Sequence, residues 1–308
     1  MISARKRLVQ LSAGMPINVR GVTVEQDEYV IADRCGTVFV PAQHIQEVLE
    51  LAESINHRQE GMVQAVQGGR PVSEFMHDTQ FEAIHTTSAT PTTPLKAAGF
   101  KQNPRAASPE DRELTALFAN LNTPGVFDAL DKLEIPGQAF NIMPLANYRK
   151  TTVGPAFTVR YESAKDPPGS VGDFIDDVAG DTMTQYAGIR GLAGTVIDGV
   201  CRDVDRALTD EYPLSTAGRW MRTGKDRVEA AGVNETVSIG KARVEPRDIV
   251  VADANGVLVF PKQRAREVAE VARKIEENES NIRELLTSGS TIAEARAELG
   301  YHTLQRKR

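Results

Sequence analysis

Cysteine is scarce in this 308-residue chain, with Cys35 and Cys201 its only two. Two thiols cannot build a disulfide framework, so a small secreted scaffold is excluded and a reducing, cytoplasmic setting is the expectation. Long hydrophobic runs are missing: no stretch approaches the roughly 20 apolar residues needed to span a bilayer. Residues 1–14 are polar and lack the apolar core of a signal peptide. An excess of positive charge is also absent. The 36 basic residues are outnumbered by 42 acidic ones, for a formal net charge of −6, so no basic face for nonspecific nucleic-acid binding is expected. Histidine is confined to the flanks, at His44, His57, His77, His85 and His302. A Ser-His-Asp triad, a Cys-His dyad or a histidine-bound zinc built from residues 86–301 alone is therefore excluded. No P-loop is found, and "GIRGLAG" lacks the strand-turn-helix context of a nucleotide fingerprint.

What is present begins with a repeat. Residues 16–75 and 236–295 align without a gap at a constant offset of 220, with 15 identities in 60 pairs. Chance would give roughly three or four. Val24/Val244, Asp33/Asp253, Gly36/Gly256, Pro41/Pro261 and Glu47/Glu267 are among the matches. Both segments read as one structural unit. Two β-branched runs flank a tight turn, with Asn255-Gly256 in the second copy, a strong hairpin signal. Pro261 ends the second run. The helix that follows carries Val268, Val271, Ile275, Ile282 and Leu285 at helical spacing, matched in the first copy by Val48, Leu51, Ile55, Met62 and Val66. Both stripes are expected to be core.

Between the copies, a Thr-, Ser- and Pro-rich stretch without periodicity reads as a linker over residues 86–107. Residues 1–85 then form a partial unit, and residues 108–308 a nearly complete domain. Ser108-Pro109-Glu110 predicts a helix running to about Asn120, and Thr123-Pro124 predicts a second short helix. "TTVGPAFTVRYES" alternates like one strand, and "GLAGTVIDGV" reads as a buried strand bounded by glycines.

Two features between residues 180 and 205 carry candidate chemistry. Gly180-Asp181-Thr182-Met183 opens a predicted helix, whose exposed amides can hold an anionic oxygen. Cys201-Arg202-Asp203 directly follows the apolar strand. A strand end in an α/β protein is a usual ligand position. There a guanidinium can fork onto a carboxylate or an enolate, and a carboxylate can hold a hard divalent cation. From spacing alone, a surface ion pair is the plainer reading of Arg202-Asp203. Cys201 beside an arginine could be an activated thiolate or simply a small buried residue at a strand end.

The run "GDTMTQYAGIRGLAGTVIDGVCRDVD", with "YPLSTAGRWMRTGKDRVE" and "VSIGKARVEPRDIVVADANGVLVFP", resembles the RraA-like family over about residues 108–300. That family includes 4-hydroxy-4-methyl-2-oxoglutarate aldolases, which also decarboxylate oxaloacetate, and regulators of ribonuclease E activity. The resemblance implies an α/β fold, an α/β/β sandwich of swivelling-domain type. The N-terminal segment would be a partial duplicate of its C-terminal β-β-α unit. It further implies a lyase dependent on Mg²⁺ or Mn²⁺, acting on a small 2-oxo acid, assembled as a homotrimer or hexamer with sites at subunit interfaces. By the same resemblance, amides of Gly180, Asp181, Thr182 and Met183 would bind the substrate carboxylate. Arg202 would bind the keto or enolate oxygen, Asp203 would hold the metal, and Asp181 would orient a water for proton transfer. Catalysis of that kind needs no histidine, because a cation plus an arginine stabilises enolate charge.

Three departures from the family pattern stand in the sequence. "PPGSVGDFIDDVAGD" runs almost directly into Gly180, where the family has a further strand; "VGDFIDDV" resembles the helix before that strand, or a substitute for it. Position 206 is Arg206, where some family aldolases are acidic, with Asp205 one residue earlier. The N-terminal copy has no counterpart of Arg202-Asp203. A protein-binding regulator of the ribonuclease E type and an inactive scaffold are the alternatives to the lyase.

Overall fold

The computed structural model describes residues 14–68, 107–146, 151–164, 187–188, 191–224 and 227–299. The order of elements begins with β1 (Ile17–Val19), β2 (Val22–Val24), β3 (Tyr29–Ala32), β4 (Thr37–Val40) and α1 (Ile45–Gln67). After the segment outside the described residues come α2 (Pro109–Ala116), α3 (Thr123–Lys132), β5 (Gln138–Ala139), β6 (Met143–Ala146), β7 (Thr152–Pro155) and β8 (Val159–Ser163). β9 (Thr195–Cys201), α4 (Val204–Thr209), β10 (Leu214–Arg219) and β11 (Val228–Val233) follow. The chain then runs through β12 (Val237–Ile239), β13 (Ala242–Val244), β14 (Ile249–Asp253), β15 (Gly256–Phe260), α5 (Ala265–Thr287) and α6 (Ile292–Glu298).

The two predicted short helices form where their caps require. Ser108 and Asp111 make a reciprocal capping box at α2, with Pro109 in the first turn, and the Asn122 side chain accepts from Gly125 N at α3. α2 ends at Ala116, four residues short of the expected Asn120.

The centre of the domain is a four-stranded antiparallel sheet in the order β5-β15-β14-β7. The predicted hairpin is its middle pair, with Asp253 opposite Gly256. One face packs on α2, α3 and α5 through Phe118, Val126, Leu130, Ile249, Val251, Leu258, Phe260, Val268 and Ile275. The rings of Phe118 and Phe260 lie 5.2 Å apart. The other face gathers Ala139, Ile142, Val257 and Val259 with Val196 of β9. Every residue of β15 is therefore buried. β9 belongs to a second, three-stranded sheet, β6-β10-β9, in which β9 and β10 are parallel. The layers are helices, sheet and sheet, an α/β/β arrangement.

Three expectations need correcting. "TTVGPAFTVRYES" is two strands in different sheets: β7 pairs with β14, and β8 pairs with β11. Pro155 ends the first, having no N–H to continue a ladder. β9 is only partly buried, with Val200 50% exposed, and β10 is its single pairing partner among the described residues. Third, the α1 stripe is not core: Val48, Leu51 and Ile55 are exposed, and only Met62 is buried. No described residues cover α1 as α2 and α3 cover α5. The side chain of Val66 lies outside the described residues.

The elements of residues 17–67 nevertheless recur 220 residues later with nearly the same bounds, α1 as Ile45–Gln67 and α5 as Ala265–Thr287. The turns correspond as well. Asp33 Oδ1 accepts from Cys35 N at 2.7 Å, and Asp253 Oδ1 accepts from Asn255 N at 2.8 Å.

Candidate active site

The parallel pair β9 and β10 ends in register, Cys201 opposite Arg219, and Trp220 N donates to Cys201 O at 2.9 Å. A bulge between Thr216 and Gly218 shifts the last residues of β10. The carboxyl ends of parallel strands are where α/β proteins place ligands, since the loops there can vary without disturbing the sheet.

Arg202 and Asp203 leave β9 at this edge. Asp203 takes a left-handed conformation, φ 57 and ψ 34, which aspartate tolerates better than most residues. The chain thereby turns sharply out of the strand, and α4 starts at once, with Asp203 O accepting from Arg206 N and Ala207 N. Arg202 Nε lies 3.1 Å from Asp203 Oδ2, and their side chains are 33% and 41% exposed. The pair is thus half-buried at a strand end, a position that serves an ion pair and ligand binding alike.

Beneath it, Cys201 is buried with Val204, Ala207, Tyr212 and Leu214. Burial pushes the Cys201 thiol above its ordinary value. A hydrogen bond with Thr216 and the charge of Arg219 oppose that shift, while Cys35 and Asp203 reinforce it. Cys201 is a protonated packing residue at neutral pH, and the thiolate alternative falls away.

Gly180, Asp181, Thr182 and Met183 lie outside the described residues, as does "VGDFIDDV" before them. Arg202 and Asp203 are brought together. The acidic position following them is also resolved: Arg206 Nε bonds Asp210 at 2.9 Å, and Asp205 is held by Arg34 of the N-terminal unit at 2.5 Å.

Three further groups at this edge were not singled out from the sequence. Arg219 ends β10 directly beside Cys201, Arg222 lies 4.6 Å over the Trp220 ring, and Arg34 arrives from far along the chain. The pairing of β9 with β10 and the contact of Arg34 are non-local, and no local pattern announces either. The closeness of Arg219 and Arg222 in the sequence is the one local signal there.

Among the described residues, no group of three or more His, Cys, Asp or Glu side chains could hold a metal ion. A hard cation such as Mg²⁺ does not need one. It keeps several waters and takes one or two carboxylates plus substrate oxygens, so the single carboxylate of Asp203 fits that chemistry. A zinc-type set of nitrogen and sulfur ligands is not gathered there among the described residues. None of the described helices is long and apolar enough to cross a membrane.

Comparison with known proteins adds an independent line. Residues 123–259 match the family model RraA-like, described as Aldolase/RraA. A protein of Halalkalibacterium halodurans named "Putative 4-hydroxy-4-methyl-2-oxoglutarate aldolase" is 30% identical over 192 residues, spanning 57% of this chain and 89% of that protein. Protein DlpA of Legionella pneumophila is 33% identical over 203 residues, 59% of this chain. The match spans only 33% of DlpA's length. The crystal structure of an uncharacterized protein from Pseudomonas syringae superposes with a TM-score of 0.55 at 34% identity, covering 60% of this chain and 97% of that one.

Proposed function

The chain belongs to the RraA-like family, and on that premise we propose that it is a divalent-metal-dependent carbon–carbon lyase acting on short 2-oxo dicarboxylic acids. The substrates in view are 4-hydroxy-4-methyl-2-oxoglutarate, by cleavage, and oxaloacetate, by decarboxylation. The observation that carries this reading is the Arg202–Asp203 pair at the end of β9, in a chain whose relative bears an aldolase name.

Both reactions break a bond to the carbon next to a ketone, and both leave that carbon as a pyruvate enolate. Cleavage removes the proton from the 4-hydroxyl, breaks the C3–C4 bond and releases one pyruvate. The remaining enolate takes up a proton to give the second. Decarboxylation of oxaloacetate releases carbon dioxide in place of the first pyruvate. In each case negative charge grows on the former keto oxygen, and fixed positive charge there lowers the barrier. Arg202 would supply it through a guanidinium held in place by Asp203 and by the turn out of β9. Asp203 would hold Mg²⁺ or Mn²⁺, which when bound adds Lewis-acid stabilisation of the same charge. Residues Gly180–Met183 would bind the substrate carboxylate through backbone amides, with Asp181 in proton transfer. The net charge of −6 makes such local positive charge necessary for a dianionic substrate.

The test is release of pyruvate from both substrates with Mg²⁺ or Mn²⁺ supplied. Arg202→Ala should lower kcat/KM by about 10²–10³, the scale of losing one charge-stabilising donor. Activity that persists in Arg202→Ala, or under chelation, contradicts the mechanism.

A further inference from the structure

The β3–β4 turn of the N-terminal unit reaches the segment that carries Arg202 and Asp203. Its framework matches the β14–β15 turn: an aspartate closes each, and a glycine follows. The tips differ. Arg34 and Cys35 stand where the second copy has Ala254 and Asn255, and these two side chains make the contact. Arg34 Nη1 donates to Asp205 Oδ1 at 2.5 Å, in the first turn of α4. Cys35 packs against the cluster of Cys201, Val204 and Ala207. Gly36 lies so near Met221 that an added Cβ would fall 2.3 Å from its Cε. The tip therefore touches the chain just beyond both parallel strands, α4 after β9 and Met221 after β10.

The ion pair is more than half exposed on each side, at 56% and 59%, so it adds little to global stability. Its place gives it another use. α4 has six residues, and its N-cap, Asp203, makes no side-chain capping bond. So short a helix has little of its own to hold it, and a contact at Asp205 acts two residues from Asp203.

We infer that the N-terminal unit is an intramolecular buttress of the candidate site, with Arg34 a positioning residue that steadies the Arg202–Asp203 segment through Asp205. The docking stands on the contacts alone; its effect on substrate and metal rests on the lyase reading.

Hydrogen exchange of peptides covering residues 201–209 in the full chain tests the docking. Arg34→Ala and Asp205→Asn should each speed exchange about threefold to fivefold, the reach of an exposed ion pair. Arg34→Lys should retain most of the protection, and the swapped pair Arg34→Asp with Asp205→Arg should restore it. Arg20→Ala, which removes an exposed arginine elsewhere on the same unit, should change nothing. In calorimetry with Mg²⁺ and oxalate, Arg34→Ala should weaken binding by a similar factor. Exchange as slow in Arg34→Ala and Asp205→Asn as in Arg20→Ala, or a swap that fails to restore protection, overturns the buttress. Exchange that responds as expected in a protein releasing no pyruvate leaves the buttress standing and removes the lyase reading.

Discussion

The N-terminal and C-terminal units carry the same run of elements and the same apolar pattern, yet among the described residues only one of them is covered. Ile275 of α5 is 3% exposed and its counterpart Ile55 is 39% exposed; Val251 is 0% exposed and Ile31 is 49%. The C-terminal hairpin is flanked on both edges, by β5 and β7, while β3 and β4 pair only with each other among the described residues. The charged side chains differ as well. Around the C-terminal unit, Lys262 and Arg247 both bind Asp111 of α2. Arg266 binds Glu113, and Arg273 donates to Leu117 O. The corresponding N-terminal residues are Ala42, Asp27, Gln46 and Glu53. The N-terminal segment carries the apolar stripe without these cations. An apolar pattern thus specifies which face can be buried, and whether it is buried depends on what lies against it.

Matched substitutions should expose that contrast. Ile275→Ala is expected to cost about 2–5 kcal/mol by leaving a cavity in a packed core. Ile55→Ala should cost less than about 1 kcal/mol. Urea denaturation of the two variants measures both, and equal losses would mean that α1 is covered after all.

Next in size is the anchor itself. Burial favours the neutral form of Asp111, but hydrogen bonds from Ser108 and Lys262 and the charge of Arg247 outweigh it, holding the carboxyl well below the usual range. A depressed native pKa gives stability that is fully present above the unfolded value, near 4, and is lost as pH falls below it. Asp111→Asn should therefore cost about 2–3 kcal/mol at pH 7, because Arg247 loses this carboxylate and Lys262 keeps Glu110 alone of its two. It should also flatten the loss of melting temperature between pH 4 and 2. A variant whose acid profile matches the parent's would remove Asp111 from this role.

Smaller effects belong to the turns. Asp253 receives Thr123 N and Oγ1 at 2.7 and 2.6 Å besides closing its own turn. In the N-terminal unit, Asp33 Oδ1 accepts from the amides of Cys35 and Gly36, with no other side-chain bond among the described residues. Asp253→Ala should cost about 1–3 kcal/mol, and Asp33→Ala about 1 kcal/mol or less, read from thermal melts. Smallest of all, Cys35 should react with Ellman's reagent well before Cys201, since burial keeps the second thiol protonated. Simultaneous reaction would indicate that the site edge opens freely.

Local signals made much of the fold legible. Ser108-Pro109 and Thr123-Pro124 gave the helix starts, Asn255-Gly256 gave the hairpin, and the apolar spacing gave the stripe of α5. What failed was everything dependent on distant partners. The break after Pro155 separates two strands that join different sheets, and β9 borders β10 through a parallel pairing. The exposed α1 stripe needed knowledge of what would lie against it. At the candidate site, Arg202 and Asp203 were legible because they adjoin in sequence. Arg219 and Arg34 were not, since one is delivered by strand pairing and the other by a turn 168 residues upstream of Arg202.

Positive charge at the end of β9 is the core of the proposed chemistry, and calorimetry with oxalate, a planar dianion resembling pyruvate enolate, probes it without relying on turnover. Oxalate should bind the full chain only when Mg²⁺ or Mn²⁺ is present, and Arg202→Ala should weaken that binding at least tenfold. Oxalate binding that needs no metal, or that Arg202→Ala leaves unchanged, would contradict the assignment of this edge as a lyase site.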